Sequence, residues 1–358
     1  MSRPLPQGAT IGILGSGQLG RMMALAAAPM GYRTHIYAPE AGPAGRVASA
    51  QTVGEWDDES ALRAFAAAVD VVTLEFENVP VATLEVLTRA GVQVRPGARV
   101  LATCQDRVAE KTFLRDLGVP TAPFEAVHDA EQLAAAAARL GRCIVKTARA
   151  GYDGRGQAKL ESPADAAMAW ASIGRPQAAI VEGFVPFCAE CSVLIARGAD
   201  GETRAFEVVH NVHRDHILHT TTAPMSDPAV DTAAAEAIAT EIAQALDLVG
   251  LLAVELFRVD GPTDLRVNEL APRPHNSGHW TIEGAATSQF AQAIRAAAGL
   301  PLGDPRRIVR RAEMTNLLGD AIDVTPSLWG APDVYVHRYD KGAARPGRKM
   351  GHITRVWR

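Results

Sequence analysis

Cysteine is scarce in this chain, and its arrangement argues against a disulfide-stabilised domain. Four cysteines occur among 358 residues, at positions 104, 143, 188 and 191. Their irregular spacing does not fit a disulfide framework. Cys188-x-x-Cys191 is a lone pair with no second pair and no neighbouring paired histidines, so we expect ordinary thiols there rather than a zinc or redox site.

Membrane and export signals are also lacking. No run of about 18 apolar residues suggests a membrane span, and residues 1–10 lack a basic stretch followed by an apolar core. We therefore expect a cytoplasmic protein with no membrane partner.

The chain also lacks an excess of basic residues. Its formal net charge is −4, whereas nucleic-acid binding typically needs a basic surface, so we expect no nucleic-acid partner either. A small anionic substrate stays open, because a few local Arg and Lys side chains suffice for it.

A strand–turn–helix–strand pattern opens the chain. An apolar run at 10–14 leads into Gly15-Ser16-Gly17-Gln18-Leu19-Gly20, followed by a predicted helix over 21–30 and predicted strands over 34–38 and 70–74. This order is typical of parallel βαβ units. The chain length fits two or three domains of about 100–200 residues each. The sequence predicts an open parallel α/β domain over residues 1–103.

The remainder mixes strands and helices with acidic and glycine-rich segments. Helices are predicted over 105–117, 130–140 and 231–246, and strands over 143–147, 178–182, 191–196, 251–259, 265–270 and 308–317. The strands over 251–259 and 265–270 form a predicted hairpin around Asp260-Gly261-Pro262. Each of these two strands carries a glutamate near its end, Glu255 and Glu269.

The first glycine turn has two interpretations. It matches G-x-G-x-x-G, and Glu40 follows 20 residues after Gly20, which is typical of a dinucleotide site. It can equally be a tight turn that packs the helix on the sheet, with backbone amides that favour an anion. From this motif alone, a nicotinamide-dependent oxidoreductase stays open.

A second set of residues is typical of ATP chemistry, which needs cations, a mobile cover and carboxylates for magnesium. Lys146 ends a predicted strand, where its charge can reach phosphate oxygens. The glycine-rich loop 151–157 can approach phosphates and close as a lid. Glu255, Glu269 and Asn268 supply the hard oxygens that magnesium prefers. A single carboxylate is usually a solvated charge, but two on paired strands indicate a site.

Two further polar segments suit anions. Arg273, His275 and Asn276 lie within eight residues of Asn268, which is typical of a cradle for a reacting carbonate or phosphate. The tail 341–352 carries four cations. That run is either a solvated basic tail or, with its Gly and Pro, an ordered turn that binds a phosphomonoester.

Together these segments resemble the 5-(carboxyamino)imidazole ribonucleotide synthase family of purine biosynthesis, which has the ATP-grasp fold. The resemblance runs from about residue 10 to 354 and is carried by GSGQLGRM, LEFENVP, GYDGRGQ, VNELAPRPHNSGHWT and RPGRKMGH. It implies an α/β and α+β architecture. The expected parts are the N-terminal open parallel α/β domain, a two-lobed ATP-grasp domain over 104–298 with a lid at about 147–182, and a small β-rich C-terminal domain over 299–358.

The resemblance also implies a reaction. ATP, bicarbonate and 5-aminoimidazole ribonucleotide would give the carboxyamino product, ADP and phosphate through carboxyphosphate. The implied metal is Mg²⁺, with Mn²⁺ as the alternative, and the implied assembly is a homodimer. A formate-dependent glycinamide ribonucleotide ligase shares the general features, but we do not expect it to carry GHWT and RPGRKMGH. The remaining alternative is a catalytically idle nucleotide-binding module.

The resemblance places the nucleotide site in the second domain. The loop 151–157 would cover ATP, and the segment 182–185 would bind adenine through its backbone. The implied ATP-binding residues are Arg107, Lys146, Gly151, Tyr152, Asp153, Gly154, Arg155, Gly156, Gln157, Glu182, Gly183, Phe184, Val185, Glu190, His213, Asn268 and Glu269. The implied metal ligands are Glu255 and Glu269.

The resemblance also implies groups for the other two substrates. The implied catalytic residues are Asp153, Arg273, His275, Asn276 and Lys341, with Asp153 able to accept the amine proton as a general base. The implied substrate-binding residues are Gln18, Glu75, Tyr152, Arg155, Lys341, Arg348 and Lys349. This sequence departs from the family at Ala150 and His216, where glycine is usual.

Overall fold

The computed structural model describes residues 3–151, 156–261 and 263–358. Within these ranges the strands form three sheets. The predicted site residues Tyr152, Asp153, Gly154 and Arg155 lie outside the described residues, and their roles stay predictions.

The first sheet is parallel throughout and confirms the predicted open α/β region. Its strands are β1 (Thr10–Leu14), β2 (Arg33–Ala38), β3 (Ala50–Val53), β4 (Val71–Leu74) and β5 (Gln93–Val94). Their order is β3-β2-β1-β4-β5, and each adjacent pair is parallel. The helices that accompany this sheet are α1 (Gln18–Ala27), α2 (Glu59–Ala67), α3 (Val81–Arg89) and α4 (Ala98–Gln105).

Two predicted helices have different bounds in the structure. The helix predicted over 21–30 begins earlier, directly after Gly17, and ends at Ala27 before a short 3-10 turn that contains Pro29. The helix predicted over 105–117 begins later, at Arg107, and ends at Asp116, because Asp106 has an extended backbone that separates it from α4. The Asp106 side chain accepts the free amides that open α5 (Arg107–Asp116).

The second sheet is small and antiparallel. Its strands are β6 (Phe124–Val127), β7 (Cys143–Thr147), β8 (Gln157–Leu160) and β9 (Ala179–Gly183), in the order β6-β9-β7-β8. Helices α6 (Ala130–Leu140) and α7 (Ala166–Ser172) cover it and share its apolar core. The alanine-rich segment is therefore a packed helix, because its Leu133, Ala136 and Ala137 stripe is buried.

The third sheet is antiparallel and includes the C-terminal strands. Its strands are β10 (Ala189–Arg197), β11 (Thr203–Ala205), β12 (Val209–Arg214), β13 (Ile217–Ala223), β14 (Gly250–Arg258), β15 (Leu265–Ala271), β16 (Arg311–Leu318), β17 (Val334–Arg338) and β18 (Lys349–Trp357). The main path is β15-β14-β10-β12-β13-β16-β18-β17, with β11 paired to β10. The β-rich C-terminal part therefore continues this large sheet through the β13–β16 ladder.

A buried helix joins the first sheet to the large one. The remaining helices are α8 (Thr232–Ala245), α9 (Thr281–Gly284) and α10 (Gln289–Ala298). Phe290 and Ile294 of α10 share one apolar core with Ile13 and Met23 of the first region and with Leu194 of the large sheet. This packing fixes the segment after β15 beside the carboxyl ends of β1 and β4.

The two departures from the family pattern fall where glycine has a backbone role. Ala150 has a φ of 56° and His216 a φ of 63°, both in the left-handed region. Glycine enters that region without the cost that a Cβ imposes. Ala150 opens the glycine-rich loop, and His216 lies in the turn between β12 and β13.

The first glycine turn encloses a carboxylate of the protein itself. Glu75, directly after β4, is buried and accepts the backbone N–H of Gly17 and, at 2.6 Å, that of Gly20. A Cβ on Gly17 would lie 2.6 Å from Glu75 Oε1, and one on Gly15 would overlap the Glu75 side chain. The three glycines therefore make room for Glu75, at the place where a dinucleotide fold holds pyrophosphate.

We expect Gly15→Ala to destabilise the protein by about 2–4 kcal/mol, because it adds overlap with Glu75 to left-handed strain. Gly15 has a φ of 112°. The matched control is Gly91→Ala, because Gly91 has a φ of 92° and open space around an added Cβ. It should cost only about 1 kcal/mol of strain. Urea unfolding of both variants measures the difference, and equal costs would show that Glu75 does not fill the turn.

Candidate active site

A cleft opens between the small sheet and the large sheet. Phe187 and Phe257 stack there with ring centroids 4.4 Å apart and planes 4° apart. The cleft is lined by Lys111, Ala122, Ile144, Lys146, Glu182, Gly183, Phe184, Val185, Phe187, Phe257, Val267 and Asn268. An apolar slot with a few charged groups at one end suits a planar base attached to anionic groups.

Two lysines share one buried glutamate at the polar end of the slot. Lys146 Nζ lies 2.5 Å from Glu182 Oε2, and Lys111 Nζ lies 3.5 Å from Glu182 Oε1. Burial by itself would raise the pKa of Glu182, but the charges of Lys146 and Lys111 hold it at about 2. Because Lys111 also neutralises Glu182, Lys146 can turn to an anion without leaving a buried charge unpaired.

Lys111 also ties α5 to the strand of the predicted metal pair. Its ammonium donates to the carbonyls of Val267 at 3.0 Å and Asn268 at 2.6 Å. The neighbouring Glu110 accepts the backbone N–H of Leu270 at 2.9 Å. Burial raises the pKa of Glu110 to about 8, although Lys111 opposes this shift. These bonds hold β15 at a fixed position against α5.

The base of the glycine-rich loop is anchored on both sides. Arg107 donates to the carbonyls of Thr147 at 2.9 Å, Ala150 at 2.5 Å and Gly151 at 2.7 Å. On the other side, the Thr147 N–H donates to the Gly156 carbonyl at 2.9 Å. Gln157 begins β8 opposite Lys146. Both described ends of the loop are therefore held by hydrogen bonds, and the cation of Arg107 lies against residues 150 and 151.

Glu255 and Glu269 are cross-strand neighbours. They are directly opposite in the β14–β15 register, with Glu255 half-buried and Glu269 open to the cleft. Burial would raise the pKa of Glu255, but a hydrogen bond from His275 Nε2 at 3.0 Å holds it at about 2. Desolvation by the surrounding walls, and then the charge of Glu255, raise the pKa of Glu269. Two facing carboxylates of this kind favour a cation between them.

The segment after β15 brings a basic group against the first domain. Arg273 forms two hydrogen bonds with the Glu77 carboxylate, one of them 2.9 Å from Nη2 to Oε1. Burial would raise the pKa of Glu77, but Arg273 holds it at about 2. Asn276 exchanges amide hydrogen bonds with Asn316 at 2.9 and 2.7 Å. Arg273, His275 and Asn276 are therefore fixed by three separate parts of the fold.

The predicted ribonucleotide side adjoins this segment. Burial raises the pKa of Glu75, and the backbone amides of Gly20 and Gly17 and the charges of Lys341 and Arg273 lower it in part. Lys341 donates to the Lys349 carbonyl at 3.1 Å, and the Lys349 charge acts on Glu255. Gln18 begins α1 at the glycine turn, and the carbonyl of Arg348 accepts the Gly319 N–H at 2.9 Å.

Glu190 and His213 form a pair on adjacent strands of the large sheet. His213 Nδ1 lies 2.6 Å from Glu190 Oε2. Burial would lower the pKa of His213, but the hydrogen bond and charge of Glu190 raise it overall, and the charge of Glu255 adds to this. Because the charge of Glu255 contributes to the raised pKa of His213, the pair lies near the carboxylate end of the cleft.

Sequence reasoning missed several groups that the fold brings to this cleft. Lys111, Glu77 and Asn316 have polar contacts with predicted site residues, and Glu110 accepts the N–H of Leu270, the neighbour of Glu269. Glu77 lies inside the quoted segment LEFENVP, and Lys111 lies four residues after Arg107, one helical turn away. The position of Glu77 in that segment and the spacing of Lys111 from Arg107 could have indicated these two residues. Asn316 lies far along the chain from the other site residues, and no local pattern indicates it.

The other sequence expectations concern thiols, metals and membranes. Cys188 is exposed, Cys191 is buried with a pKa raised to about 12 by burial, and all four cysteines are free. Among the described residues, no three His, Cys, Asp or Glu side chains gather into a metal-binding group. Within the same ranges, no helix combines the length and apolar character needed to cross a membrane.

Family models match three parts of the chain. A ribonucleotide synthetase preATP-grasp domain matches residues 8–105, an ATP-grasp domain matches residues 112–290, and a phosphoribosylaminoimidazole carboxylase C-terminal domain matches residues 312–357. The ATP-grasp fold with N-terminal and C-terminal additions is thereby confirmed.

Relatives of known function match over nearly the whole length. The chain is 47% identical to an N5-carboxyaminoimidazole ribonucleotide synthase of Brucella melitensis, covering 98% of this chain and 97% of the relative. It is 43% identical to the enzyme of the same name from Pseudomonas aeruginosa, covering 96% and 93%. A bifunctional purine synthesis protein of Dictyostelium discoideum is 47% identical, and the chain spans 37% of that longer protein.

Solved structures of this kind superpose closely. An ADP complex of an N5-carboxyaminoimidazole ribonucleotide synthetase gives a TM-score of 0.94 at 40% identity, covering 99% of this chain and 94% of the other. The Thermus thermophilus synthetase gives 0.87 at 43% identity, covering 97% and 93%. An Aspergillus clavatus synthase in complex with ADP and 5-aminoimidazole ribonucleotide gives 0.90 at 29% identity, covering 98% and 94%.

Lys146→Ala should weaken ATP binding about 10- to 100-fold, because a charged hydrogen bond to phosphate contributes about 1.5–3 kcal/mol. Titration calorimetry of the nucleotide measures this. Lys159→Ala is the matched control, since Lys159 is exposed on the neighbouring strand β8, and its affinity should equal that of the wild type. Unchanged affinity in Lys146→Ala would remove Lys146 from the phosphate site.

Proposed function

The chain belongs to the family of N5-carboxyaminoimidazole ribonucleotide synthases, and from this premise we propose how its cleft carries out the family's reaction. The protein is an ATP-grasp ligase of purine biosynthesis that uses ATP to carboxylate 5-aminoimidazole ribonucleotide. One observation carries the residue assignment: a base-sized slot with Lys146 leads directly to facing carboxylates and then to Arg273 and His275.

In our proposal, ATP enters with its base in the apolar slot. The N–H groups of Gly183 and Phe184 already donate to the carbonyls of Pro123 and Arg142. We therefore assign the adenine-binding amide to Val185, with the Glu182 carbonyl as the matching acceptor. Glu190, next to His213, would receive the ribose hydroxyls.

At the other end of ATP, Lys146 would bind the phosphates, and the loop 151–157 above Arg107 would cover them. Closing the loop excludes water that would otherwise hydrolyse the nucleotide. This assignment includes Gly151, Gly156 and Gln157 together with the four loop residues outside the described ranges.

The facing carboxylates fit a divalent cation. Burial raises the pKa of Glu269, and the charge of the facing Glu255 raises it further. Magnesium takes one or two carboxylates and completes its shell with phosphate oxygens and water. Glu255 and Glu269 would hold the ion, beside Asn268. When bound, the ion neutralises phosphate charge. The choice between magnesium and manganese does not change the residues we assign.

Bicarbonate would bind beyond the carboxylates, against Arg273, His275 and Asn276. There it would take the terminal phosphate of ATP to give carboxyphosphate. The ribonucleotide would lie between Glu75 and Gln18 of the first domain and the cations Lys341, Arg348 and Lys349. Asp153 would accept the proton of the attacking amine.

The proposal also covers the domain limits, the assembly and the cellular location. We propose domain limits near residues 103 and 298. The first lies just before the end of the matched segment 8–105, and the second lies between the matched segments 112–290 and 312–357. A homodimer follows from the family resemblance. A cytoplasmic location agrees with the four free cysteines, since thiols stay reduced there.

Release of ADP and phosphate tests the function directly. The purified protein should release phosphate from ATP when bicarbonate, magnesium and 5-aminoimidazole ribonucleotide are all present, and omission of the ribonucleotide should reduce the rate strongly. A coupled ADP assay measures this. No ribonucleotide-dependent turnover would overturn the function, and tight NADH binding measured by fluorescence would favour the oxidoreductase alternative.

Glu269→Gln should lower kcat at least 100-fold, because the metal loses a charged ligand at the reacting phosphates. Glu241→Gln is the control, since Glu241 is an exposed glutamate on α8, and it should leave kcat unchanged. Turnover of Glu269→Gln near the wild-type rate would remove Glu269 from the metal site.

A further inference from the structure

A continuous chain of buried hydrogen bonds crosses the large sheet and ends at His275. Thr221 Oγ1 donates to Asn211 Oδ1 at 2.9 Å, and Asn211 Nδ2 donates to Ser192 Oγ at 2.9 Å. Ser192 Oγ donates to Ser277 Oγ at 2.8 Å, which lies 2.8 Å from His275 Nδ1. The other four members of this hydrogen-bond chain, Thr221, Asn211, Ser192 and Ser277, are each at most 3% exposed. The chain therefore lies within the protein interior.

The direction of this chain determines which ring nitrogen of His275 carries the proton. A hydroxyl has one proton to donate, so Ser277, which accepts from Ser192, gives its own proton to Nδ1. The backbone N–H of Ser277 also points at Nδ1, at 3.3 Å. This second donor is fixed by the peptide plane and agrees with the direction of the hydroxyl chain. At 3.3 Å it is weaker than the 2.8 Å contact of the hydroxyl, so the hydroxyl chain contributes most to the preference. Nδ1 is therefore an acceptor, and the ring proton resides on Nε2.

The backbone of His275 is fixed as firmly as its ring. The Gln289 side chain accepts the His275 N–H at 2.8 Å and donates to the His275 carbonyl at 2.8 Å. Gln289 is fully buried at the start of α10. On its other edge, the ring presents Nε2 to Glu255 at 3.0 Å. The imidazole therefore has one orientation, with a single N–H directed into the cleft.

We propose that Ser192, Asn211 and Thr221 are positioning residues that fix the Nε2–H tautomer of His275. Their hydrogen bonds present a donor, and not a basic nitrogen, at the place where the cleft meets Glu255. In this structure that N–H is directed at Glu255 Oε1. Resting on the proposed function, we expect it to become available to the reacting carbonate or phosphate oxygen once a cation binds Glu255. A preorganised donor stabilises charge that develops there. It would not take the proton of the attacking amine.

The tautomer of the wild-type protein is the direct test. Two-bond ¹H–¹⁵N correlation spectra of protein labelled with ¹⁵N-histidine distinguish a protonated ring nitrogen from an unprotonated one. The His275→Gln variant identifies the His275 signals by their loss. We expect an unprotonated Nδ1 and a protonated Nε2 in the ligand-free protein at slightly alkaline pH. A protonated Nδ1 would overturn the proposal, whatever the activity of the enzyme.

Substitutions along the chain test its part in setting the tautomer. In Ser192→Ala we expect the His275 signals to move towards a tautomer mixture and kcat to fall on the order of 10-fold, with the KM for ATP unchanged. The matched control is Ser226→Ala, because Ser226 Oγ lies 2.5 Å from Nδ1 of His210. It should move the His210 signals alone and leave kcat intact. An unchanged His275 tautomer in Ser192→Ala would overturn the role of the chain.

A second pair tests the far end without a change of volume. Thr221→Val removes the hydroxyl and frees the Asn211 amide to reverse, so the His275 signals should shift, whereas Thr221→Ser keeps the hydroxyl and should retain the wild-type signals. Identical spectra for the two variants would contradict the proposal. If the wild-type protein has the expected tautomer but no ribonucleotide-dependent ADP release, the proposed function fails and the tautomer assignment stands.

Discussion

The cleft is arranged around two carboxylates that the strand register holds opposite each other. Glu255 and Glu269 are cross-strand neighbours, and the charge of Glu255 raises the pKa of Glu269. Neighbouring groups reduce the repulsion between the two carboxylates. His275 Nε2 forms a hydrogen bond with Glu255, and the charges of Arg107 and Lys146 lower the pKa of Glu269 in part. A pair of this kind is costly in a protein that binds no cation, because like charges that face each other destabilise a strand pair. Its presence supports our proposal that a cation binds between the two carboxylates.

The first domain contributes acids to the same place. Glu77 holds Arg273, and Glu75 fills the glycine turn that a dinucleotide would otherwise use. The G-x-G-x-x-G motif is best known as a dinucleotide-binding turn, but it has a different role here, because its backbone amides already bind the Glu75 carboxylate. Packing of α10 against both sheets makes these contacts possible. The first domain therefore borders the candidate active site, through the contact of Glu77 with Arg273.

Much of this could be predicted from local sequence. The strands at 10–14 and 143–147 were predicted at the bounds that the structure gives, since apolar runs next to glycine or polar breaks define strands well. Helix bounds were harder to predict, because Asp106 separates two helices by a single extended residue and caps the second. The fold class, the family and the reaction followed from segments long enough to be specific.

What the sequence could not reveal was which distant residues meet. The pairing of Asn276 with Asn316, and of Ser277 with Ser192, joins residues separated by 40 and 85 positions. Such contacts depend on strand order in the large sheet, and no local pattern encodes it. Lys111 was overlooked for a related reason: a lysine on an amphipathic helix normally extends to solvent, and only the assembled cleft shows it buried between Glu110 and Glu182.

The central claim is that the paired carboxylates and the cradle after β15 direct the terminal phosphate of ATP onto bicarbonate. Turnover with bicarbonate labelled with ¹⁸O tests it most directly, with the released phosphate analysed by mass spectrometry or ³¹P NMR. The account predicts that one labelled oxygen passes from bicarbonate to each phosphate, since the bond that later breaks in carboxyphosphate leaves that oxygen on phosphorus. Phosphate that carries no label, formed at the full ribonucleotide-dependent rate, would contradict it.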